Sequence, residues 1–214
     1  MTSATLNKKT KLADFGITKH PRLIALGGPI SHKNSCTALE WVIDLVDETE
    51  NSIAYFSNHL TYSEICRCIL SIESGTEPSI INIQNFSHSD LTAISAGIHK
   101  LARQKIYFND YFTNLEQVQE YSEALKFENG LELIVIDHIH NLPLMNNRFA
   151  DLLWNLKELS EKLQVPILAI TRASHHNRPQ DQRIIAENIE NGKDCLEIAD
   201  MFIGIDGEEM FYFK

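Results

Sequence analysis

The apolar positions of the chain fall into short continuous runs at 22–26, 52–57, 105–108, 131–136 and 166–170. Runs of this length with no polar alternation suit strands covered on both faces, where neither side of the sheet meets water. Between the runs the apolar residues are spaced three and four apart, as in Ala38, Leu39, Val42, Ile43 and Val46, which is the spacing of a helix with one buried stripe. The same pattern predicts helices over 62–73, 89–102, 115–127 and 149–163. The first three of these begin near Thr61, Ser87 and Thr113, whose side-chain oxygens can accept from the free backbone N–H groups of a first turn. Asn129-Gly130 closes the third as a glycine C-cap does. Two final runs, 200–205 and 208–213, meet at Asp206-Gly207, a hairpin signal. Strands alternating with helices predict an α/β fold, a mainly parallel central sheet flanked by helices and finished by a C-terminal β-hairpin.

Residues 1–20 carry Lys8, Lys9, Lys11 and Lys19 and no apolar period, so they are expected to form a flexible N-terminal arm, with 21–214 as a single domain. The composition agrees: 214 residues, 43% hydrophobic and 22% charged, describe one globular unit. A chain of this size buries roughly 70% of its unfolded surface and needs neither disulfide nor metal to hold a core. Charge narrows the partners. Nineteen Lys and Arg against 29 Asp and Glu give a net charge of -10, and an acidic body repels the phosphate backbone that dominates nucleic-acid affinity. DNA is therefore not expected as a partner of the chain on its own. The sequence has no apolar run long enough to span a bilayer and no secretory h-region, so no membrane association and a cytoplasmic location are expected. Of Cys36, Cys66, Cys68 and Cys195, the pair Cys66-Arg-Cys68 is too tight for a zinc ribbon or a redox CxxC pair, and all four are read as reduced thiols in the core or at its edge.

Ligands of an open parallel sheet bind at the carboxyl ends of its strands, here 27–34, 58–59, 137–140 and 171–174. The first of these segments reads Gly27-Gly-Pro-Ile-Ser-His32-Lys33-Asn34. It lies between a predicted strand and a predicted helix, the place of a G-x-x-x-x-G-K-[ST] P-loop, whose backbone N–H groups cradle phosphates while its hydroxyl holds magnesium. Lys33 is kept, but His32 stands where the second glycine belongs and Asn34 where the hydroxyl belongs. A Cβ at a left-handed position costs about 1–2 kcal/mol. Asn34 offers an amide oxygen in place of the hydroxyl, and Ser35 follows one residue late. Leu131-Glu-Leu-Ile-Val-Ile-Asp137 has the form of a Walker B strand, an apolar run ending in a carboxylate for magnesium.

These residues, together with Leu23-Ile-Ala-Leu-Gly-Gly-Pro29, Ile53-Ala-Tyr-Phe-Ser57, the stretch from Ser63 to Gly75, Ile106-Tyr-Phe-Asn-Asp110, Leu163-Gln-Val-Pro-Ile-Leu-Ala-Ile170 and Ala199-Asp-Met-Phe-Ile203, resemble the C-terminal, RecA-like ATPase domain of the DnaB-type replicative helicases. The resemblance runs in register from about Arg22 to Asp206. It implies a RecA-like P-loop NTPase fold and a link to DNA replication. It also marks departures. The family's P-loop ends in Gly-Lys-Thr, here His32-Lys33-Asn34, and its Phe-Ser-x-Glu-Met, with Glu as the catalytic base, is here Phe56-Ser-Asn-His59-Leu60. Loss of a positioned base costs about 10²–10⁴-fold in rate. Its Asp-Tyr-Leu-Gln is Asp137-His-Ile-His140, and its Ser-Gln pair is Thr171-Arg172. The family continues into a hairpin carrying a Lys and an Arg toward the neighbouring subunit's γ-phosphate. With Lys214 last in this sequence, no arginine finger of that kind is expected, nor the family's N-terminal domain and linker helix. The family's DNA loop falls on 141–148, where Arg148 is the one basic residue.

The expectation is thus a degenerate Walker A, a pseudoenzyme that acts as a protein-binding, regulatory or scaffold subunit. It requires no cofactor and partners another RecA-like ATPase or itself. An alternative is a divergent ATP-binding helicase or NTPase subunit that needs a partner to complete its site, with Mg-ATP held by Gly27, Gly28, His32, Lys33, Asn34, Ser35 and Asp137. A third reading gathers His32, His59, His138 and His140 around a transition metal in the vacated nucleotide site.

Overall fold

A computed structural model describes residues 3–6, 11–16, 20–28, 31–76, 81, 87–144, 148–171, 191–206 and 209–213. Its strands are β1 (Ser3–Leu6), β2 (Leu23–Gly27), β3 (Ser52–Ser57), β4 (Ile106–Asn109), β5 (Leu131–Asp137), β6 (Ile167–Ile170), β7 (Met201–Asp206) and β8 (Glu209–Phe213). Its helices are α1 (Ser31–Val46), α2 (Tyr62–Ser74), α3 (His88–Leu101), α4 (Leu115–Asn129), α5 (Phe149–Leu163) and α6 (Gly192–Ile198). The strands form one sheet in the order β1-β8-β7-β2-β6-β5-β3-β4. From β7 to β4 every neighbouring pair is parallel, and β8 turns back antiparallel on β7. The hairpin is as expected, although Gly207 lies outside the described residues.

The continuous apolar runs become strands whose residues alternate between two filled layers. Leu23, Ala25, Ala54, Phe56, Ile134, Ile136, Ile167 and Ala169 pack against α4, α5 and α6. Ile24, Leu26, Ile53, Tyr55, Leu133, Val135, Leu168 and Ile170 pack against α1 and α2. All sixteen are fully buried, which is why these runs carry no polar alternation. Phe56 anchors the first layer with its ring edge-on to Phe112 and Tyr121, centroids 5.4 and 5.6 Å away.

Local chemistry sets the helix ends. Thr61 and Ser87 each accept from the N–H of the residue three positions on, Glu64 or Asp90, whose carboxylate accepts in return from the cap's own N–H. These are complete capping boxes. For α4 the cap is Asn114 rather than Thr113; Asn114 accepts from Gln117 N at 2.9 Å, and Thr113 instead donates to the Gln117 side chain. Gly75 ends α2 at φ 65°, a left-handed position that favours glycine.

The N-terminal segment differs from the expected flexible arm. Ser3–Leu6 pairs antiparallel with β8 at the sheet edge, and Leu12, on a 3-10 turn, is 1% exposed against the α1 layer. Lys11 bridges to Asp44 on α1 and to Glu48 just beyond it. The strand gains its backbone partners from β8, at the other end of the chain, so no local period announces it. Helix α6 also has no counterpart among the helices that the apolar spacing predicts. Among the described residues no helix is long and apolar enough to cross a membrane.

Candidate functional site

The carboxyl ends of β2, β3, β5 and β6 lie side by side: Ser57 is level with Asp137, and Asp137 with Ile170. Backbone bonds continue across the ends, Asn58 N donating to Asp137 O at 3.0 Å and Thr171 N to Leu26 O at 2.7 Å. Helix α1 starts at Ser31, just after β2, so Gly27 closes the strand and Ser31–Asn34 open the helix that follows it. Pro29 and Ile30, and the side chains of Ser31, His32 and Lys33, lie outside the described residues.

Asn34 is the first described side chain of α1 and is fully buried. Its amide nitrogen donates to the carbonyls of Gly28 and Thr171, each at 3.2 Å, so it ties α1 to the ends of β2 and β6. Its Oδ1 accepts no hydrogen bond among the described residues and faces Gly28 closely: a Cβ built on Gly28 would lie 2.5 Å from that oxygen and 2.7 Å from the carbonyl oxygen of Ile205. The sequence reading offers this oxygen to magnesium. The fold instead packs it against a glycine while the nitrogen end holds two backbone carbonyls.

Asp137 is also fully buried. Ser35 Oγ donates to Oδ1 at 3.0 Å, and the Tyr55 hydroxyl donates to Oδ2 at 3.0 Å. The Nε2 of His138 lies 3.2 Å from Oδ1, and the peptide between Asp137 and His138 is cis. Asn58 holds the next turn, its Oδ1 accepting from His138 N at 3.2 Å and from Asn141 Nδ2 at 3.1 Å. Ser57 Oγ accepts from Leu60 N at 2.9 Å, which shapes the turn that presents His59. Asn58 falls in a strand-end segment that the sequence marks, whereas Tyr55 and Ser57 are not singled out as site residues. Tyr55 sits inside an apolar run and reads there as core; its hydroxyl meets Asp137 only because β3 and β5 are neighbours.

Of the four histidines gathered by the metal reading, the three described side chains, His59, His138 and His140, do not converge. His59 is exposed and meets His138 edge-on, ring centroids 4.6 Å apart, whereas His140 stacks on Phe149 at 4.8 Å. Among the described residues no group of three or more His, Cys, Asp or Glu side chains is placed to hold a metal ion. The three described imidazoles are drawn to different neighbours, an edge contact and an aromatic stack. His175, His176 and Arg172 lie outside the described residues.

Burial, and then the Asp137 charge, push the Tyr55 phenol well above its ordinary pKa. Interaction with the Cys68 thiol, and then burial, drive the Cys36 thiol up, and the same interaction draws Cys68 down to about 7. The sign for Tyr55 follows from proton linkage. A phenol that keeps its proton in the folded state after the unfolded chain has lost it, above about pH 10, makes stability fall with rising pH by up to about 1.4 kcal/mol per unit. Tyr55→Phe is therefore expected to cost about 1–2 kcal/mol at neutral pH, the worth of a bond to a charged acceptor, and to flatten the alkaline loss. Urea unfolding from pH 8 to 11 checks this; parallel curves for the two proteins would refute it.

The chain matches the DnaB-like helicase C terminal domain family over residues 13–209. It is 22% identical over 195 residues to the replicative DNA helicase DnaC of Bacillus subtilis (strain 168), covering 87% of this chain and 43% of that protein. It is 22% identical over 188 residues to the replicative DNA helicase DnaB of Geobacillus stearothermophilus, covering 84% and 41%. The chain thus spans less than half the length of these curated relatives. Among solved structures, an ATPase domain superposes with a TM-score of 0.79 at 16% identity, over 87% of this chain and 69% of that one. A DnaB-like replicative helicase described with its interactions with primase gives 0.78 at 16%, over 86% and 46%. With its RecA-like sheet, its strand-to-helix turn in the P-loop position and a family match across nearly all of its length, the chain belongs to the DnaB-like helicase C-terminal domain family.

Proposed function

We propose that this is a RecA-fold domain of the helicase type that has given up ATP hydrolysis and acts by binding a protein partner, another RecA-like ATPase or a second copy of itself. The observation that carries the reading is His59. It stands where the family resemblance places the catalytic glutamate, and it packs on His138 beside Asp137. A protonated imidazole there repels a metal ion and a neutral one tends to ligate it, so neither form replaces a carboxylate that polarises water. The magnesium ligands fit poorly as well. Asp137 has both oxygens engaged by protein hydroxyls, and the Asn34 oxygen is packed on Gly28. The solved relative described with primase supports a protein partner for a domain of this kind, and the net charge of -10 disfavours DNA for this chain alone.

One observation favours a second reading, a divergent nucleotide-binding subunit completed by a partner. Ser35 donates to Asp137, so a hydroxyl and a carboxylate still meet beside the P-loop position. Calorimetry with Mg-ATP and Mg-ADP and a steady-state ATPase assay separate the two, with Lys33→Ala as control. The expected result is turnover that does not differ between the wild-type chain and Lys33→Ala. Turnover abolished by Lys33→Ala would overturn the proposal, and micromolar binding lost in that variant without turnover would favour the second reading.

A further inference from the structure

We propose that the cleft between α4 and α5 is a docking groove for a basic amphipathic helix of another protein. The inference rests on the reading that the chain works by binding a protein partner, and it supplies that partner's chemistry. The cleft has a volume of about 520 Å³ and is lined by Leu115, Gln119, Asn155 and Leu159 with Glu116, Glu158 and Lys162 at its edges. Leu159 is buried and Leu115 packs on the same core layer, so the floor is largely apolar. The two helices run side by side in one direction. Glu116 and Asn155 line one end of the cleft, and toward the other end Lys162 bridges to Glu123 at 2.8 Å and Lys126 donates to the Leu163 carbonyl.

The rims carry charge of one sign. On α4, Glu116, Glu120, Glu123 and Phe127 recur at intervals of four, three and four, and on α5 Trp154, Glu158 and Glu161 recur at four and three, the spacing of a single helix face. Neither stripe holds a Lys or an Arg. The nearest cations are turned aside: Lys162 to Glu123, Lys126 to the Leu163 carbonyl, and Lys157 to Asp200 at 2.7 Å. Glu116, Glu120, Glu158 and Glu161 make no ion pair among the described residues. On the same faces Phe127 is 92% exposed and Trp154 51%, one aromatic ring toward each end of the cleft.

Charge and shape together select the occupant. Glu116 to Phe127 spans about 16 Å at the rise of a helix, the length of about three helical turns in a partner. A helix that lays its apolar stripe on Leu115, Leu159 and the two rings, and aims Lys or Arg at the glutamates on either side, covers the exposed aromatics and pairs the rims at once. A second copy set face to face on this surface would bring acid against acid, and a nucleic-acid backbone would meet the same repulsion. The groove therefore calls for a cationic protein segment.

The probe is a synthetic Leu/Lys peptide of about fourteen residues with its leucines on one helical face, titrated into the full chain by calorimetry. Iodide quenching locates it, because the chain has two tryptophans and Trp41 is 3% exposed, so quenching reports Trp154. The expected result is saturable binding that shields Trp154 and weakens at least about tenfold in Trp154→Ala and in Glu116→Lys with Glu158→Lys. Binding is kept in Glu48→Lys with Glu50→Lys, an equal change of charge outside the groove. No binding, equal binding of a scrambled peptide of the same composition, or equal weakening in the two charge variants would overturn the proposal. So would self-association of the chain that Trp154→Ala abolishes, since the face would then belong to a second copy. Shielding of Trp154 in the wild-type chain decides the matter even if a variant folds poorly. The Lys33→Ala turnover assay is separate: turnover there sinks the parent reading and leaves the peptide result standing, whereas an idle peptide sinks the groove alone.

Discussion

Replacing Asp137 by Ala is expected to lower the unfolding free energy by about 3–5 kcal/mol, the cost of removing one side of a buried polar network and leaving the other in place. Asp137 has no exposed surface, and two buried hydroxyls, from Ser35 and Tyr55, donate to it. Truncation takes the acceptor from both and leaves a hole among groups that no solvent reaches. Asp137→Asn keeps an oxygen of the same shape, and hydroxyls can turn to accept from the new amide, so its cost is expected to be about 1 kcal/mol. Urea unfolding of the three proteins checks the order. If Asp137→Ala unfolds like the wild type while any nucleotide affinity collapses, the carboxylate faces a ligand rather than the protein.

A comparable loss, about 3 kcal/mol at the upper end of overpacking costs, is expected for Gly28→Ala. The added carbon would sit 2.5 Å from Asn34 Oδ1 and 2.7 Å from the Ile205 carbonyl oxygen. The first neighbour is a side chain and the second is backbone on β7, so the two contacts can be separated. In an Asn34→Ala background the added carbon keeps its clash with Ile205 and loses the other. The double-mutant cycle should therefore show Gly28→Ala costing less than in the wild type, but not nothing. Additive costs would mean that Asn34 and Gly28 do not touch in solution.

The fold was largely legible because its strands are buried on both faces, which leaves a mark in the sequence: 133–136 and 166–170 are apolar without alternation. The helix starts at Thr61 and Ser87 were legible because a capping box is local chemistry. What depended on distant partners was not. Ser3–Leu6 offers one large apolar residue and becomes a strand only where β8 supplies hydrogen bonds. At the site, Gly27 and Asp137 end β2 and β5, where the sequence placed the strand ends, and Ser35 on α1, one residue late for the motif, meets Asp137. The role of Asn34 was not legible, since the type of residue says it can donate and accept but only the approach of Thr171 and Gly28 says which end does what. The histidines are plain in the sequence, but the directions of their rings are not, and His140 turns to Phe149.

The pairing of Ser3 with Phe213 brings the first and last described residues onto neighbouring strands. A polypeptide that enters ahead of Ser3 and leaves after Phe213 does both at one margin of the sheet, a strand's width apart. This is the geometry of a cassette. It can be spliced into a surface loop of a host protein without prising the host's own segments apart, and a short peptide can close its ends so that the chain is reopened elsewhere as a circular permutant.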